Sequence, residues 1–264
     1  MRIDNYFKAT SLEQAYNKLL EDDKNLIIGG GAWLKLTNKE ITSCIDITKI
    51  GLNEIIETDQ KIEIGAMTSL RQIEQNDTIK TLSNGILSEA ISQIMGVGIR
   101  NIATIGGSVM GKYSFSDLIT PLLVMGASLV FYKKGEITID EFLQTKKMEK
   151  DILLKIVIPL KDQKGFFYKM QKTRLDFAVI NVAITKGETI DIAVGARPSI
   201  TARPVQAIAF LNQLKDITEE DILKASEMVV QELKFSTNAK ASKEYRELIT
   251  KVYTKRGLRK VVMS

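Results

Sequence analysis

The stretch Ile99–Asp117, I-R-N-I-A-T-I-G-G-S-V-M-G-K-Y-S-F-S-D, decides how the chain is interpreted. It places Gly106 and Gly107 directly after an apolar run. Paired glycines let a backbone adopt positive φ and bring its N–H groups close to a ligand, so such a segment can bind phosphate without a cationic side chain. A second cluster, Gly29–Gly31, also follows an apolar run. Either cluster alone is more often a tight turn, but together they predict one dinucleotide held at its diphosphate from two sides.

Composition is that of a globular protein of one or two domains, with 264 residues, 44% of them hydrophobic and 26% charged. No apolar run approaches the roughly 18 residues of a membrane span, and the N-terminal residues lack the apolar core of a signal peptide. We therefore expect a cytoplasmic protein without a membrane span. The net charge of +5 comes from scattered lysines and arginines, so we expect no nucleic-acid partner.

The chain has no histidine and a single cysteine, Cys44. These counts remove the commonest general base and metal ligand, and they exclude a disulfide, a Cys-x-x-Cys pair and an iron–sulfur site within this chain. We predict no catalytic side chain and no metal site here. Any redox chemistry must use a bound organic cofactor.

Helices alternate with β-hairpins along the first 160 residues, which predicts an α+β fold. Hairpins are predicted at Glu54–Gly65 and Ser128–Thr138, and a long helix at Ile79–Met95. The polar segment Lys161–Gly165 is the predicted domain boundary. Beyond it, three strand patterns followed by helices predict an antiparallel sheet and a helical layer.

The glycine clusters do not fit the two common nucleotide motifs. Gly29 and Gly31 are followed by Leu34 where a G-x-G-x-x-G motif needs its third glycine, and no Gly-Lys-Ser/Thr occurs. The mixture of hairpins and helices also argues against a doubly wound Rossmann sheet.

Several segments in order resemble the FAD-binding (medium) subunits of molybdenum hydroxylases, the flavoprotein chains of bacterial xanthine, carbon monoxide and nicotinate dehydrogenases. Arg100–Ser108, R-N-I-A-T-I-G-G-S, is similar to the family's most specific signature, R-N-x-A-T-I-G-G-N. The other resembling segments are Gly29–Leu34, Ile64–Leu70, Ser116–Leu118, Asp151–Pro159, Asp176–Ala183 and Glu244–Leu248. Two segments depart from the family pattern, Ala32-Trp33 and Gly111-Lys112.

The resemblance implies a vanillyl-alcohol-oxidase (PCMH)-type FAD-binding domain over residues 1–160, with subdomains of about 1–55 and 56–160. A C-terminal α+β domain of the carbon monoxide dehydrogenase flavoprotein type follows over 165–264. It also implies an electron-transfer subunit of a multi-chain dehydrogenase. Electrons would pass from 2Fe–2S clusters on an iron–sulfur subunit through FAD to NAD or another acceptor, and a molybdenum subunit would oxidise the substrate.

The resemblance assigns cofactor-binding roles to residues in four places. The backbones of Ile28–Leu34 (Ile28, Gly29, Gly30, Gly31, Ala32, Trp33 and Leu34) and of Thr104–Ser108, including Gly106 and Gly107, would bind the diphosphate. Thr104 and Ser108 would add hydroxyl donors. Asp117 would accept from the adenosine ribose, or instead cap the following helix. Leu153 and Lys169 would lie near the isoalloxazine ring, although Lys169 also fits an exposed strand lysine.

Two other functions stay open at this point. A stand-alone flavin oxidase or reductase of the same fold would need a polar substrate pocket over the flavin. A scaffold subunit that has lost FAD would have a blocked diphosphate groove.

Overall fold

The computed structural model describes residues 1–34 and 37–263. The chain forms two compact units. The first unit comprises Met1–Ile73, Val97–Gly111 and Ala127–Pro159, and the second comprises Glu74–Gly96, Lys112–Gly126 and the chain from Leu160 onward. The second unit contains segments from both sides of Lys161–Gly165. The domain boundary at Lys161–Gly165 stays a prediction from the sequence.

The first unit contains two sheets and five α-helices in its described part. Its elements in chain order are β1 (Arg2–Lys8), α1 (Leu12–Leu20), β2 (Leu26–Ile28), β3 (Glu40–Asp46), β4 (Ile55–Glu57), β5 (Lys61–Gly65), α2 (Leu70–Gln75), α5 (Val97–Ile102), α6 (Ile105–Met110), β6 (Ser128–Phe131), β7 (Gly135–Thr138), α8 (Ile139–Gln144) and β8 (Leu153–Pro159). Sequence patterns did not indicate β1.

The smaller sheet is parallel, with strand order β1-β3-β2. Helix α1 covers it because Ala15 and Leu19 lie on one helical face, and both are buried against Ile45 and Ile47. The helix begins at Ser11, whose Oγ accepts from the Gln14 N–H at 3.2 Å. Leu19 on this face of α1 also lines a cleft, together with Leu26 and Ile27 of β2.

The larger sheet is antiparallel, with strand order β4-β5-β8-β6-β7. Both predicted hairpins are confirmed, and β8 pairs between them. Ile62 and Ile64 of β5 are fully buried and stand opposite Ile158 and Ile156 of β8. This alternation with exposed or half-buried charged residues is typical of a sheet with one face in the core.

The second unit is built on the antiparallel sheet β11-β10-β9. Its elements are α3 (Asp77–Thr81), α4 (Ile86–Ser92), α7 (Ile119–Val124), β9 (Lys164–Met170), β10 (Ile180–Lys186), β11 (Ile190–Gly195), α9 (Val205–Asn212), α10 (Glu219–Glu232) and α11 (Lys243–Met263). The predicted three-stranded antiparallel sheet with helices, and with it the α+β fold, is confirmed.

A buried core joins this sheet to the C-terminal helices, and β10 is buried along nearly its whole length. Gly257 permits a close approach between α11 and the sheet. A Cβ at this position would lie 2.5 Å from Cδ1 of Phe166 and 2.8 Å from Cδ1 of Ile184. Helix α10 begins with a capping box, in which Thr218 and Asp221 each accept from the other's backbone N–H.

The prediction of one long helix over Ile79–Met95 is wrong. A 3-10 turn at Leu82–Gly85 separates α3 from α4, with Ser83 and Asn84 at φ +50° and +55°. Tertiary hydrogen bonds hold this turn, since Asn84 Oδ1 accepts from the Gly165 N–H at 2.8 Å and Ser83 Oγ accepts from Gln163 Nε2 at 2.9 Å. The Asn-Gly dipeptide at 84–85 was the overlooked sequence signal.

Candidate functional site

The two glycine clusters meet inside the first unit. A Cβ on Gly30 would lie 1.2 Å from the carbonyl oxygen of Ile102, and a Cβ on Gly29 would lie 2.4 Å from Oγ1 of Thr104. The chain after β2 therefore rests directly on the connection between α5 and α6. Any side chain at Gly29 or Gly30 would separate the two segments.

The first glycine segment has free hydrogen-bond donors. Within residues 1–34 and 37–263, the backbone N–H groups of Gly29, Gly30, Gly31 and Ala32 have no protein acceptor. Gly31 has φ +66°, which bends the backbone into a turn. The Leu34 carbonyl closes the segment by accepting from the N–H of Thr37 at 3.0 Å. Four successive N–H groups without an acceptor among the described residues, in a backbone that bends at Gly31, are a donor set that suits an anion.

The second glycine segment differs from the predicted nest. Gly106 and Gly107 lie in the first turn of α6, neither has positive φ, and Thr104 caps the helix. Its N–H groups already have acceptors: Ile105 donates to Thr68 O (3.0 Å), Gly106 to Ala66 O (2.9 Å), Gly107 to Thr104 Oγ1 (3.2 Å) and Ser108 to Thr104 O (3.0 Å). These glycines serve packing, because a Cβ on Gly106 would lie 2.6 Å from Ala66 O.

The two hydroxyl groups of this segment are not equivalent. Ser108 Oγ is buried and donates to the Thr104 carbonyl at 2.9 Å, so its proton is not available to a ligand in this arrangement. Thr104 Oγ1 accepts from Gly107 and keeps its own proton for donation. Of the predicted hydroxyl donors, Thr104 is therefore the one beside Gly29 with a donor to offer.

A cleft of about 320 Å³ opens beside the glycine contact, and all of its lining belongs to the first unit. Gly29, Thr104 and Gly107 contribute to its wall, as does Leu153 at the start of β8. Leu153 is 5% exposed. The structure thus brings one of the predicted ring-side residues into the cleft with the glycine segments. Ile28 and Trp33 are half-buried and do not line it.

Asp117 and Lys169 form a buried ion pair in the second unit. Lys169 Nζ lies 2.7 Å from Asp117 Oδ2, and the two side chains are 1% and 6% exposed. The lysine also donates to the carbonyl oxygen of Gln93 at 2.9 Å. The alternative of an exposed strand lysine is therefore wrong. Asp117 does not cap the following helix either, because Ser116 Oγ accepts from the N–H groups of Leu118 and Ile119 at its start.

Sequence reasoning gave no role to Asn181, which holds the other oxygen of Asp117. Its Nδ2 donates to Asp117 Oδ1 at 2.9 Å, and its Oδ1 accepts from Thr120 Oγ1 at 2.7 Å. A Cβ on Gly195 would lie 2.3 Å from Asn181 Oδ1, so glycine leaves room for this amide. An asparagine within an apolar run, between Ile180 and Val182, was the available sequence signal, and the structure buries it fully.

Burial dominates the electrostatics of this carboxyl group. It raises the pKa of Asp117, while the charge and hydrogen bond of Lys169 and the hydrogen bond from Asn181 act in the opposite direction. In the described part of the chain, no group of three or more His, Cys, Asp and Glu residues is placed to hold a metal ion. No helix among the described residues is both long and apolar enough to cross a membrane.

Comparison with protein families gives two matches that together cover nearly the whole chain. Residues 1–161 match the family described as FAD binding domain in molybdopterin dehydrogenase. Residues 165–261 match the family described as CO dehydrogenase flavoprotein C-terminal domain.

Relatives with assigned names come from archaea, bacteria and a mammal. The glyceraldehyde dehydrogenase medium chain of Sulfolobus acidocaldarius is 24% identical, over 97% of this chain and 97% of its own length. The caffeine dehydrogenase subunit beta of a Pseudomonas species is 27% identical, over 76% of this chain and 74% of its own length.

Solved structures share the fold. A chain of carbon monoxide dehydrogenase from Hydrogenophaga pseudoflava superposes with a TM-score of 0.89 at 22% identity, covering 100% of this chain and 98% of that one. A chain of quinoline 2-oxidoreductase from Pseudomonas putida 86 gives a TM-score of 0.88 at 21% identity, covering 98% and 96%.

Proposed function

This chain belongs to the family of FAD-binding domains of molybdopterin dehydrogenases, and we propose that it is the electron-transfer subunit of a multi-subunit oxidoreductase. It would accept electrons from 2Fe–2S clusters of a partner chain and pass them through FAD to NAD or another acceptor. The names of its relatives support separate partner chains, since they are called a medium chain and a subunit beta. A single cysteine and no histidine also leave the iron–sulfur and molybdenum centres to those partners.

The contact between the two glycine segments is the observation that carries the proposal. Four N–H groups of Gly29–Ala32 have no protein acceptor in the described chain, and a hydroxyl donor at Thr104 lies beside them. This donor set fits a diphosphate, because a run of N–H groups supplies directed partial positive charge without a cationic side chain. When bound, FAD supplies the two-electron chemistry for which this chain has no side chain of its own.

Asp117 and Lys169 keep hydrogen-bonding capacity beyond their own pair. A carboxylate oxygen has room for two donors, and each oxygen of Asp117 accepts one bond within the protein. An ammonium group has three donors, and within residues 1–34 and 37–263 Lys169 uses two of them, on Asp117 and Gln93. We assign Asp117 to the ribose hydroxyls. Because Lys169 Nζ lies 2.7 Å from Asp117 Oδ2, the lysine would stabilise that carboxylate and not negative charge on the isoalloxazine ring, which lies at the other end of an extended FAD.

The test begins with a visible absorption spectrum of the purified protein before and after incubation with FAD, followed by anaerobic addition of NADH. We expect stoichiometric flavin bands, and bleaching by NADH would identify a nicotinamide as the acceptor. Flavin bands that do not bleach would support FAD binding and exclude NAD as the electron acceptor. A protein without bands after incubation with FAD would refute the proposal.

A matched pair of variants tests whether the flavin absorption bands depend on the contact between the two glycine segments. Gly30→Ala places a methyl group 1.2 Å from Ile102 O and should abolish FAD binding. Gly98→Ala makes the same change in α5 with no atom within 4 Å, so it should bind FAD like the parent protein. Equal FAD affinity in both variants, at comparable circular dichroism, would contradict the assigned site.

A further inference from the structure

A chain of buried hydrogen bonds in the second unit ends at Asp117. Its other members are Thr201 after β11, Thr120 in α7 and Asn181 in β10, and all three are buried. Thr120 Oγ1 lies 3.2 Å from Thr201 Oγ1 and 2.7 Å from Asn181 Oδ1. Asn181 Nδ2 lies 2.9 Å from Asp117 Oδ1. Such a network is demanding to bury, because each polar member must find a partner.

The number of protons on each group fixes the direction of this chain. A threonine hydroxyl has one proton, and Thr120 donates its proton to Asn181 Oδ1, so the proton between the two hydroxyl groups comes from Thr201. The amide of Asn181 therefore presents Nδ2 to Asp117, and Nδ2 also donates to the Ser116 carbonyl at 3.0 Å. Each bond donates toward Asp117, and Asn181 meets that carboxyl group as a donor.

Gly195 provides the space in which the chain is assembled. A Cβ at this position would lie 2.3 Å from Asn181 Oδ1, 2.7 Å from Thr120 Oγ1 and 2.9 Å from Thr201 Oγ1. The backbone of Gly195 does not have positive φ, so its conformation does not require glycine. The missing side chain at Gly195 thus serves the three oxygen atoms of the chain.

The chain and the ion pair act on different oxygens of Asp117. Asn181 donates to Oδ1, and Lys169 Nζ lies 2.7 Å from Oδ2. Among the described residues this leaves one lone pair on each oxygen, which can accept either a proton or a hydrogen bond from a ligand. Protonation of Asp117 therefore competes with a ligand hydroxyl group. Burial raises the pKa of Asp117, and the two donors oppose that rise.

We propose that Asn181 is a positioning residue of the nucleotide site, and that the chain from Thr201 through Thr120 to Asn181 keeps Asp117 a hydrogen-bond acceptor for ligand hydroxyl groups. The inference rests on the proposed function, which assigns Asp117 to the ribose. It adds that the accepting state of Asp117 is set by neutral groups on α7 and β10 as well as by Lys169.

The first experiment needs no cofactor. Infrared spectroscopy of the flavin-free full chain, from about pH 8 to about pH 4, follows the carbonyl band of protonated carboxyl groups. The difference from Asp117→Asn identifies the band of Asp117. Leucine is close to asparagine in size and has no donor, so we expect Asn181→Leu to raise the titration midpoint of Asp117 by about one pH unit.

The charged surroundings allow the titration to be assigned to Asp117. Lys169 on β9 is the charged side chain that acts on it in the described part of the chain, and Asn181 on β10 is neutral. Lys169 also acts on Asp176, but a hydrogen bond from Lys240 lowers the pKa of Asp176. Asp176 therefore titrates below the pH range of the experiment.

Thr120→Val tests the chain at a residue that does not touch Asp117. Valine keeps the branched shape of threonine, and Asn181 Oδ1 loses its donor. We expect a smaller upward shift of the Asp117 midpoint, because Asn181 becomes a less polarised donor. This variant carries the test if Asn181→Leu does not fold.

Asn212→Leu is the matched control. The amide of Asn212 accepts from the Ile190 N–H at 2.7 Å and donates to the Ile190 carbonyl at 2.9 Å, in the same unit. Its replacement removes an amide that holds the backbone but does not contact Asp117. We expect the midpoint of Asp117 to stay unchanged in this variant.

The affinity for FAD should follow the same titration. Titration of the full chain with FAD at each pH, followed by flavin fluorescence, should show weaker binding as the pH falls through the Asp117 midpoint. Below both midpoints, Asn181→Leu should bind FAD about tenfold more weakly than the parent protein, since one pH unit corresponds to a factor of ten. Asn212→Leu should show the pH dependence of the parent protein.

The outcomes separate this inference from the function on which it rests. A parent protein that binds no FAD refutes the proposed function, and the infrared titration is independent of that result. An Asp117 midpoint that is unchanged in both Asn181→Leu and Thr120→Val overturns the inference, even if FAD binds. An affinity of Asn181→Leu that falls by the same factor at every pH indicates a structural role alone and also overturns it. Upward shifts in both variants, with none in Asn212→Leu, support it.

Discussion

Replacement of Lys169 by methionine tests the buried ion pair of the second unit most directly. The substitution keeps the length and apolar character of the side chain and removes its charge. Asp117 would then remain 6% exposed, with the hydrogen bond from Asn181 as its remaining side-chain partner. Removing one partner of a buried pair typically costs about 3–5 kcal/mol, because the other charge is left uncompensated. We expect a loss of this size in the free energy of unfolding near pH 7.

The loss should depend on pH in a defined direction. Burial already raises the pKa of Asp117 above its ordinary value of 3.8, and removal of Lys169 raises that pKa further. A folded-state pKa above the unfolded value gives stability that is present at low pH and is lost as the pH rises through the folded pKa. The difference between Lys169→Met and the parent protein should therefore shrink as the pH falls through the raised pKa, by up to about 1.4 kcal/mol per unit.

Equilibrium unfolding in urea, followed by circular dichroism at several pH values, measures this difference. Lys172→Met is the matched control, since Lys172 is exposed just beyond β9 and its replacement should change stability by less than about 0.5 kcal/mol. The double variant Lys169→Met with Asp117→Asn should recover part of the loss. A loss below about 1 kcal/mol that does not vary with pH would refute the buried pair.

Three further measurements test other parts of the fold. Gly257→Ala should destabilise the protein by about 1–3 kcal/mol in urea unfolding, although alanine favours helices, because its methyl group would meet the Phe166 ring at 2.5 Å. A more stable variant would contradict that contact. Thr218→Ala removes the N-cap of α10 and should cost about 1 kcal/mol, which lowers the melting temperature by about 2–4 °C. An unchanged melting temperature would show that the cap is not formed. Cys44 is 1% exposed and burial raises its thiol pKa, so Ellman's reagent should titrate it in denaturant but not in the native protein.

Local patterns were sufficient to predict the elements that local physics controls. The two hairpins follow from alternating side chains and short turns. The break at Leu82–Gly85 was missed because an apolar helical pattern continues across it. The bonds that stabilise the break come from Gln163 and Gly165, which lie far along the chain.

The candidate site was likewise predictable only in part. The importance of both glycine clusters was predictable, because each follows an apolar run, but their different uses were not. Which N–H groups are free depends on distant acceptors such as Ala66 O and Thr68 O, which the sequence does not place. The pairing of Asp117 with Lys169 and Asn181 depends on tertiary packing in the same manner.

The interleaved path of the second unit limits how the gene can be divided. Its sheet comes from the C-terminal part of the chain, yet helix α7, buried at all six of its residues, comes from before the junction at 161–165. Thr185 Oγ1 donates to the Val124 carbonyl, and Arg203 donates to the Leu123 carbonyl. Hydrogen bonds from the C-terminal part of the chain therefore hold this helix. A gene split at the junction would give a C-terminal product with an uncovered apolar sheet. Fission or recombination at that point should therefore yield insoluble fragments, and the two family segments are expected to be inherited as one piece.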